Sequence, residues 1–493
     1  MADLKKYEFW FVVGSQDLYG PEVLKTVDAH SREMVDTWNK SGLLPCTLVW
    51  KSVVRNTEEI YDTLTAANAD AKCAGVITWM HTFSPSKMWI PGFQALQKPL
   101  LHLNTQYNRD IPWNDIDMDF MNLNQSAHGD REHGYIAARM RLQQKVISGW
   151  WKEEKTCHRM AGWMRAAVGA FESRRTHVLR IGDNMRNVAV TDGDKVEAAI
   201  RLGWRVDYYG VGDIIRAVDA VTEDEVNTQV AEYQERYEMA TDNIDSVRYQ
   251  AREEAALKKF MDEHGYNAFH TNFEDLQQLR QLPGLAAQDL MRQGYGFSAE
   301  GDWKTAALCR IMKAMTADCK GGTAFMEDYT YNFDPKCGMN MGSHMLEVCP
   351  SVAATKPKIE VHPLGIGDRE DPARLTFKAK SGPAVLATII DMGDRFRMIA
   401  NDVECQTQEH EMPKLPVAAV LWKPLPTLET SAEAWIYAGG AHHSVISYDL
   451  TAEDLRDFAE IMDIEFIHIG ADTKIEELRK ELTWNDLTWK LKK

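Results

Sequence analysis

The chain has 493 residues, enough for about three domains, and 44% apolar with 26% charged residues is the composition of a folded globular protein. Its 56 basic residues against 73 acidic ones leave a net charge of −17 with no basic block, which argues against a nucleic-acid or anionic-membrane surface. Eight scattered cysteines without a C-x-x-C pair fit a reducing compartment, and no run of about 18 apolar residues offers a membrane span.

The first half alternates apolar runs with amphipathic stretches, the pattern of parallel strands covered by helices. Strands are expected at 9–14, 46–50, 74–79 and 100–104, with a helix over 22–40. The N-terminus enters the first strand with no apolar leader, so a cytoplasmic location is expected. The first, third and fourth runs end in small or polar residues, where open α/β sheets bind ligands. A second alternating block begins at 177–182, with a helix over 194–202 and strands at 204–209 and 267–270. The charged stretch 223–263 has helical spacing and reads as one or two long surface helices, and 303–315 as an amphipathic helix. After about residue 323 strand-like runs dominate: 323–326, 345–348, 374–378, 384–390, 396–400, 417–422 and 444–448, followed by helices over 452–462 and 474–482. This texture predicts an antiparallel β domain. Domains are expected at 1–175, 176–325 and 326–493.

Four places put ionisable residues into apolar or glycine-rich context. Gly294-Tyr-Gly-Phe-Ser-Ala-Glu300-Gly-Asp302 precedes a helix, so either carboxylate is a helix cap or Glu300 does chemistry while Asp302 caps. Glu327 ends an apolar run and is either a solvated edge residue or a buried functional one. His344 stands at a strand entry, as a structural residue or a ligand. His442 and His443 are adjacent, and since neighbouring side chains on a strand alternate, at most one is expected to face a given site. Two carboxylates with one or two neutral imidazoles suit Mn²⁺ or a similar dication better than a thiolate zinc site. Such a shell with open positions grips the adjacent oxygens of a polyol or sugar. The polar stretch Asn124–Gly134, with His128 near a helix start, is either a surface cap or a contact for a hydroxylated ligand.

The ordered runs Val13–Gly20, Asn124–Glu132, Gly294–Ala306, Phe325–Tyr331, Gly342–Pro350 and Gly439–His443 closely resemble the L-arabinose isomerase family, and the resemblance spans essentially the whole chain. It implies a manganese-dependent aldose–ketose isomerase interconverting L-arabinose and L-ribulose through a cis-enediol(ate), with one Mn²⁺ per subunit. The family's metal ligands fall on Glu300, Glu327, His344 and His443, of which Glu300 and Glu327 double as the acid/base pair. His442 then lies beside the site as a substrate contact. Gln16, Tyr19 and His128 match positions supplied by a neighbouring subunit, and Phe83, Met185 and Phe273 match the sugar-pocket lining. The implied fold is two Rossmann-like parallel-sheet domains followed by a C-terminal β-barrel-like domain, assembled as a homohexamer with active sites shared between subunits.

Among rivals, L-fucose isomerase shares the domain plan, but the motif wording matches the arabinose enzyme better. A periplasmic sugar-binding protein needs an export signal and no such ligand set. A dehydrogenase is disfavoured because Gly210-Val-Gly-Asp213 lacks the third glycine of a dinucleotide fingerprint. No phosphate-binding loop or esterase elbow is present.

Overall fold

The computed structural model describes residues 3–492, which form two compact units, Asp3–Phe171 and residues 172–492. The first unit runs β1 (Glu8–Gly14), α1 (Gly20–Ser41), β2 (Thr47–Val54), α2 (Thr57–Ala69), β3 (Cys73–Met80), α3 (Ile90–Ala95), β4 (Leu100–Asn104), α4 (Met118–Leu123), α5 (Ser126–Met140) and β5 (Lys145–Ser148). Helix α6 (Glu154–Ser173) follows. The five strands are parallel in the order β2-β1-β3-β4-β5. Central β3 is buried along its full length, which is why it reads as an unbroken apolar run instead of an alternating one. On α1, Val27, Met34, Val35 and Trp38 share the buried face, and Gly42 ends the helix in the left-handed conformation.

The second unit contains β6 (His177–Ile181), α7 (Lys195–Leu202), β7 (Arg205–Tyr209), α8 (Val211–Asp219), α9 (Glu223–Arg236), β8 (Glu238–Met239), α10 (Ile244–His264), β9 (Ala268–His270), α11 (Leu285–Arg292), β10 (Gly296–Ser298) and α12 (Trp303–Met315). It continues through β11 (Thr323–Asn332), β12 (Met339–Ser343), β13 (Lys358–Val361), β14 (Ala373–Thr376), β15 (Gly382–Asp391), β16 (Phe396–Gln406), β17 (Val420–Pro424), α13 (Leu428–Ala438), β18 (His443–Ser447), α14 (Ala452–Ile461), β19 (Glu465–Ile469) and α15 (Ile475–Leu491). A parallel sheet has the order β10-β9-β6-β7. Six further strands, β15-β18-β11-β12-β17-β16, close into a ring through pairing of β15 with β16. Helix α12 joins the two sheets. Nearly all its residues are buried, and it packs on β9 and β10 on one side and on β11, β15 and β18 on the other. Gly296 permits that approach, since a side chain there would meet the Ala306 carbonyl at 2.2 Å.

Four expectations are corrected. The C-terminal sheet is mixed, because β19 adds to β16 in parallel; β19 and α13 were not foreseen. Residues 345–348 are a loop, because the buried Glu347 carboxylate accepts from the Leu346 N–H at 3.0 Å and from His344, and this turns the chain. Helix α12 is enclosed instead of amphipathic. The stretch 223–263 forms two helices, and α10 is not a surface helix: Gln250, Glu253 and Glu254 are buried.

The buried acids of α10 are satisfied by packing partners. Glu254 accepts from Tyr233 Oη, from Gln293 Nε2 at 2.8 Å and from Gln229 Nε2 at 3.1 Å. Neighbouring Asp289 accepts from Tyr237 Oη and from Arg292 at 2.7 and 3.0 Å, with Arg236 at 3.8 Å. Burial, and then Asp289, push the Glu254 carboxyl well above its usual range, whereas Arg292 overcomes burial to hold Asp289 low. A carboxyl raised in this way keeps its proton when the unfolded chain has lost it. Its stabilisation is full below the unfolded value of 4.5 and is lost as pH rises through the folded one. Glu254→Gln is therefore expected to melt at the parent's temperature near pH 4.5 and at a temperature increasingly above the parent's as pH rises from there. Calorimetric scans across that range check this, and a pH-independent difference contradicts it.

Candidate active site

The ring strands set the site's geometry. Along β11, the apolar residues Ala324, Phe325 and Met326 are buried, and Glu327 follows at the level where the strand becomes accessible. Glu327 stands opposite His443 on β18 and opposite Ser343 on β12. His344 comes next after Ser343, and the β11–β12 register breaks between Asp328 and Thr330, an irregularity of the kind that re-aims side chains beside functional sites. Phe325 packs edge-on under both imidazoles, its centroid 5.2 Å from His344 and 5.1 Å from His443.

Glu300 arrives from β10. It adopts φ +58° and is followed by Gly301 at +84°, a left-handed pair that turns the chain sharply into α12. A non-glycine residue in that region is strained and persists only when its surroundings hold it. Here Met185 N–H donates to the Glu300 carbonyl at 3.0 Å, and Gly301 N–H donates to Thr271 at 3.3 Å. Those bonds bring the loops carrying Met185 and Phe273 beside Glu300.

All five residues predicted at the centre meet. His442 Nε2 donates to Glu300 Oε2 at 3.2 Å, and His443 Nε2 lies 3.8 Å from the same oxygen. His344 Nε2 is 3.8 Å from Glu327 Oε2. Ligand atoms of Glu300, His344 and His443, and of Glu327, His442 and His443, lie within 4.8 Å of one another in each set. The alternation argument on the two histidines does not apply, because His442 precedes β18 and both rings reach the site.

Two residues missed as functional orient the rings. Asp302 caps α12, accepting from Thr305 Oγ1 at 2.7 Å, and the same carboxylate accepts from His443 Nδ1 at 3.2 Å. Glu347 accepts from His344 Nδ1 at 2.5 Å. With each Nδ1–H donated to a carboxylate, each Nε2 presents a lone pair toward Glu300 or Glu327. His443 Nε2 is buried with no hydrogen-bond partner. Lone pairs facing carboxylates in a buried site are a set of donors lacking an acceptor cation, so these residues fit a dication of oxygen and nitrogen preference.

The electrostatics keep Glu300 and Asp302 charged and favour a neutral His443. Burial pushes the Asp302 carboxyl up, but Lys304 at 3.5 Å and His443 hold it well below the usual range. Burial likewise opposes the Glu300 charge and is outweighed by the His442 hydrogen bond and the His443 ring. His442 is raised by its bond to Glu300. Burial lowers His443 and keeps it neutral, while at His344 burial is outweighed by Glu347.

Gln16, Tyr19, Phe83 and His128 gather in the first unit. Gln16 Nε2 donates to the Phe83 carbonyl at 3.2 Å, and Phe83 stacks on His128 at 4.7 Å between centroids. Gln125 bridges the rest: its Nε2 donates to Tyr19 Oη at 3.0 Å, and His128 Nδ1 donates to its Oε1 at 3.0 Å. Gln125 was not singled out from sequence.

Comparison with known proteins decides the family. Models of the L-arabinose isomerase N-terminal, central and C-terminal domains match residues 3–175, 177–318 and 322–465. The chain belongs to the L-arabinose isomerase family. It is thus a sugar isomerase, an intramolecular oxidoreductase. The L-arabinose isomerases of Geobacillus kaustophilus and Clostridium beijerinckii are 56% and 55% identical to it, each over 99% of this chain and 100% of their own. That of Thermotoga petrophila is 54% identical over the full length of both. A solved periplasmic sugar-binding protein from Legionella pneumophila covers 63% of this chain and 95% of its own at 9% identity, with a TM-score of 0.15 that carries no argument. No described helix is long and apolar enough to cross a membrane.

If Asp302 and Glu347 orient the two imidazoles, Asp302→Asn and Glu347→Gln weaken Mn²⁺ binding about 10- to 100-fold while the fold persists. Titration calorimetry with Mn²⁺ reads this directly, and unchanged affinity in both variants contradicts it.

Proposed function

We propose that the chain interconverts L-arabinose and L-ribulose in arabinose catabolism, with one Mn²⁺ per subunit held by Glu300, Glu327, His344 and His443. The observation that carries this reading is the pair of buried imidazoles, each oriented through Nδ1 by a carboxylate and aimed through Nε2 at a glutamate. When bound, a dication there supplies Lewis-acid stabilisation of negative charge on two vicinal sugar oxygens.

The chain's own residues then move protons. One of Glu300 and Glu327 takes the proton from C2 of the open-chain aldose, giving a cis-enediol(ate), and that proton returns to C1. The other carries the hydroxyl proton from the C2 oxygen to the C1 oxygen, so the ketose forms with no net gain or loss. His442, half-buried and bonded to Glu300, keeps that carboxylate oriented and reaches substrate oxygen. Met185 and Phe273, on the loops flanking Glu300, line the sugar's position.

Gln16, Tyr19 and His128 complete the pocket from a neighbouring copy in a cytoplasmic homohexamer, a reading that rests on the family resemblance, and Phe83, stacked on His128, lines the sugar pocket with them. The expected domains 1–175, 176–325 and 326–493 are supported by the spans of the three matched models. The 2-1-3-4-5 strand order supports a Rossmann-like N-terminal domain, the parallel β10-β9-β6-β7 sheet a second, and the six-stranded ring a barrel-like third.

Glu327→Gln is expected to fold like the parent and to lower turnover by about two to four orders of magnitude, the range of a positioned acid or base. A colorimetric ketose assay with and without Mn²⁺ tests it. Near-normal turnover, or full activity after exhaustive chelation, overturns the reading. His128→Ala is expected to lose catalysis with assembly retained, and unchanged kinetic constants would make His128 a bystander.

A further inference from the structure

Lys304 stands in the first turn of α12, two residues after the cap Asp302, and its side chain is 1% exposed. Both facts are unfavourable. A cation at a helix N-terminus opposes the helix dipole, and a buried ammonium must replace its water with other acceptors. Helix formation does not explain a lysine here, so its role lies in what the ammonium touches.

Two of its partners are carbonyls of the loop 183–194: Nζ donates to Thr191 at 3.0 Å and to Asp192 at 2.6 Å. The third is Asp302, whose Oδ1 lies 3.5 Å from Nζ. The other oxygen of that carboxylate accepts from His443 Nδ1 at 3.2 Å and from Thr305 Oγ1 at 2.7 Å. Lys304 therefore stands behind the group that turns His443 Nε2 toward Glu300.

The same loop supports Glu300. Beside Met185, whose N–H holds the Glu300 carbonyl, Asn184 Nδ2 donates to the Gly301 carbonyl at 3.1 Å and to that of Thr191 at 2.7 Å. Arg180 Nη2 donates to Asn184 Oδ1 at 2.6 Å and fixes the amide. One chain of polar contacts thus runs from the left-handed Glu300 turn through Asn184 and Thr191 to Lys304, and on through Asp302 to His443. Gly193 lets the loop lie directly on α12, since a side chain there would meet the Trp303 ring at 3.0 Å and the Lys304 stem at 3.3 Å.

We propose that Lys304 is a positioning residue for the glutamate–histidine centre: its ammonium clasps the loop 183–194 to the start of α12 and holds Asp302 where that carboxylate orients His443. The proposal rests on the reading of the centre as a dication site. Lys304→Met keeps an unbranched apolar stem and removes the ammonium. Titration calorimetry on the full-length protein is expected to show Mn²⁺ binding weakened about tenfold by this exchange. In the Asp302→Asn background the same exchange is expected to change Mn²⁺ affinity by no more than about twofold, because Lys304 acts through Asp302. A merely structural lysine would lower the melting temperature alone, or weaken Mn²⁺ binding by the same factor in both backgrounds, and either result overturns the proposal. Crystals of chelator-treated Lys304→Met and parent protein give a readout without metal. The loop carbonyls of Thr191 and Asp192 are expected to draw away from α12 and the Asp302–His443 hydrogen bond to break, whereas an unchanged loop and bond overturn the assignment. Should Lys304→Met fail to fold, Lys304→Gln, which retains an N–H donor and loses the charge, carries the same measurements. If the parent itself takes up no Mn²⁺, the metal reading falls and the metal-free comparison still decides for Lys304.

Discussion

The register of three strands is the constraint on which the site depends. Glu327 stands opposite His443 on one side and Ser343 on the other, so β18, β11 and β12 deliver two imidazoles and a carboxylate to one level of the ring. A slip of one residue in β11 would turn Glu327 to the opposite face and replace it with Met326 or Asp328. Closure of the ring gives each of its six strands a neighbour on both sides, and Phe325 beneath both rings fixes the depth at which they sit. Glu300 arrives by another route, from the parallel sheet through a left-handed turn, and α12 packed on both sheets locks that turn to the ring.

This arrangement concentrates charge. Glu300, Glu327, Asp302 and Glu347 surround three imidazoles in a largely buried space, with Lys304 the near cation beside Asp302. Unpaired carboxylates cost free energy in such surroundings, and their price is met when a dication sits among them. The same carboxylates orient the rings, so a change made to relieve repulsion also loosens the donors. Helix capping and ring orientation are coupled through Asp302 in particular, which caps α12 and holds His443 with one carboxylate.

Much of this was legible in the residues. Strands β1, β3 and β4 announce themselves as apolar runs because helices cover both faces of a parallel sheet. Glu300, Glu327, His344 and the adjacent pair His442 and His443 stand out as ionisable residues in apolar or glycine-rich settings. What was hidden depends on contacts distant in sequence. Asp302 reads as a helix cap, which it is, and nothing local reveals that the oxygen accepting from Thr305 Oγ1 also meets a histidine 141 positions away. Met345-Leu-Glu-Val348 reads as a strand because its apolar pattern suits one, and only the hydrogen bonds drawn to Glu347 show why it turns. Helix α10 reads as solvated because its charges are plentiful, yet Glu254 finds tyrosine and glutamine partners on α9 and next to α11 that no periodicity encodes.

The most direct measurement is an anomalous difference map from a crystal grown with Mn²⁺, collected near the manganese edge. The account predicts one strong peak per chain with atoms of Glu300, Glu327, His344 and His443 all within about 2.5 Å. A peak elsewhere, or one from which any of these four side chains stands apart, would contradict it.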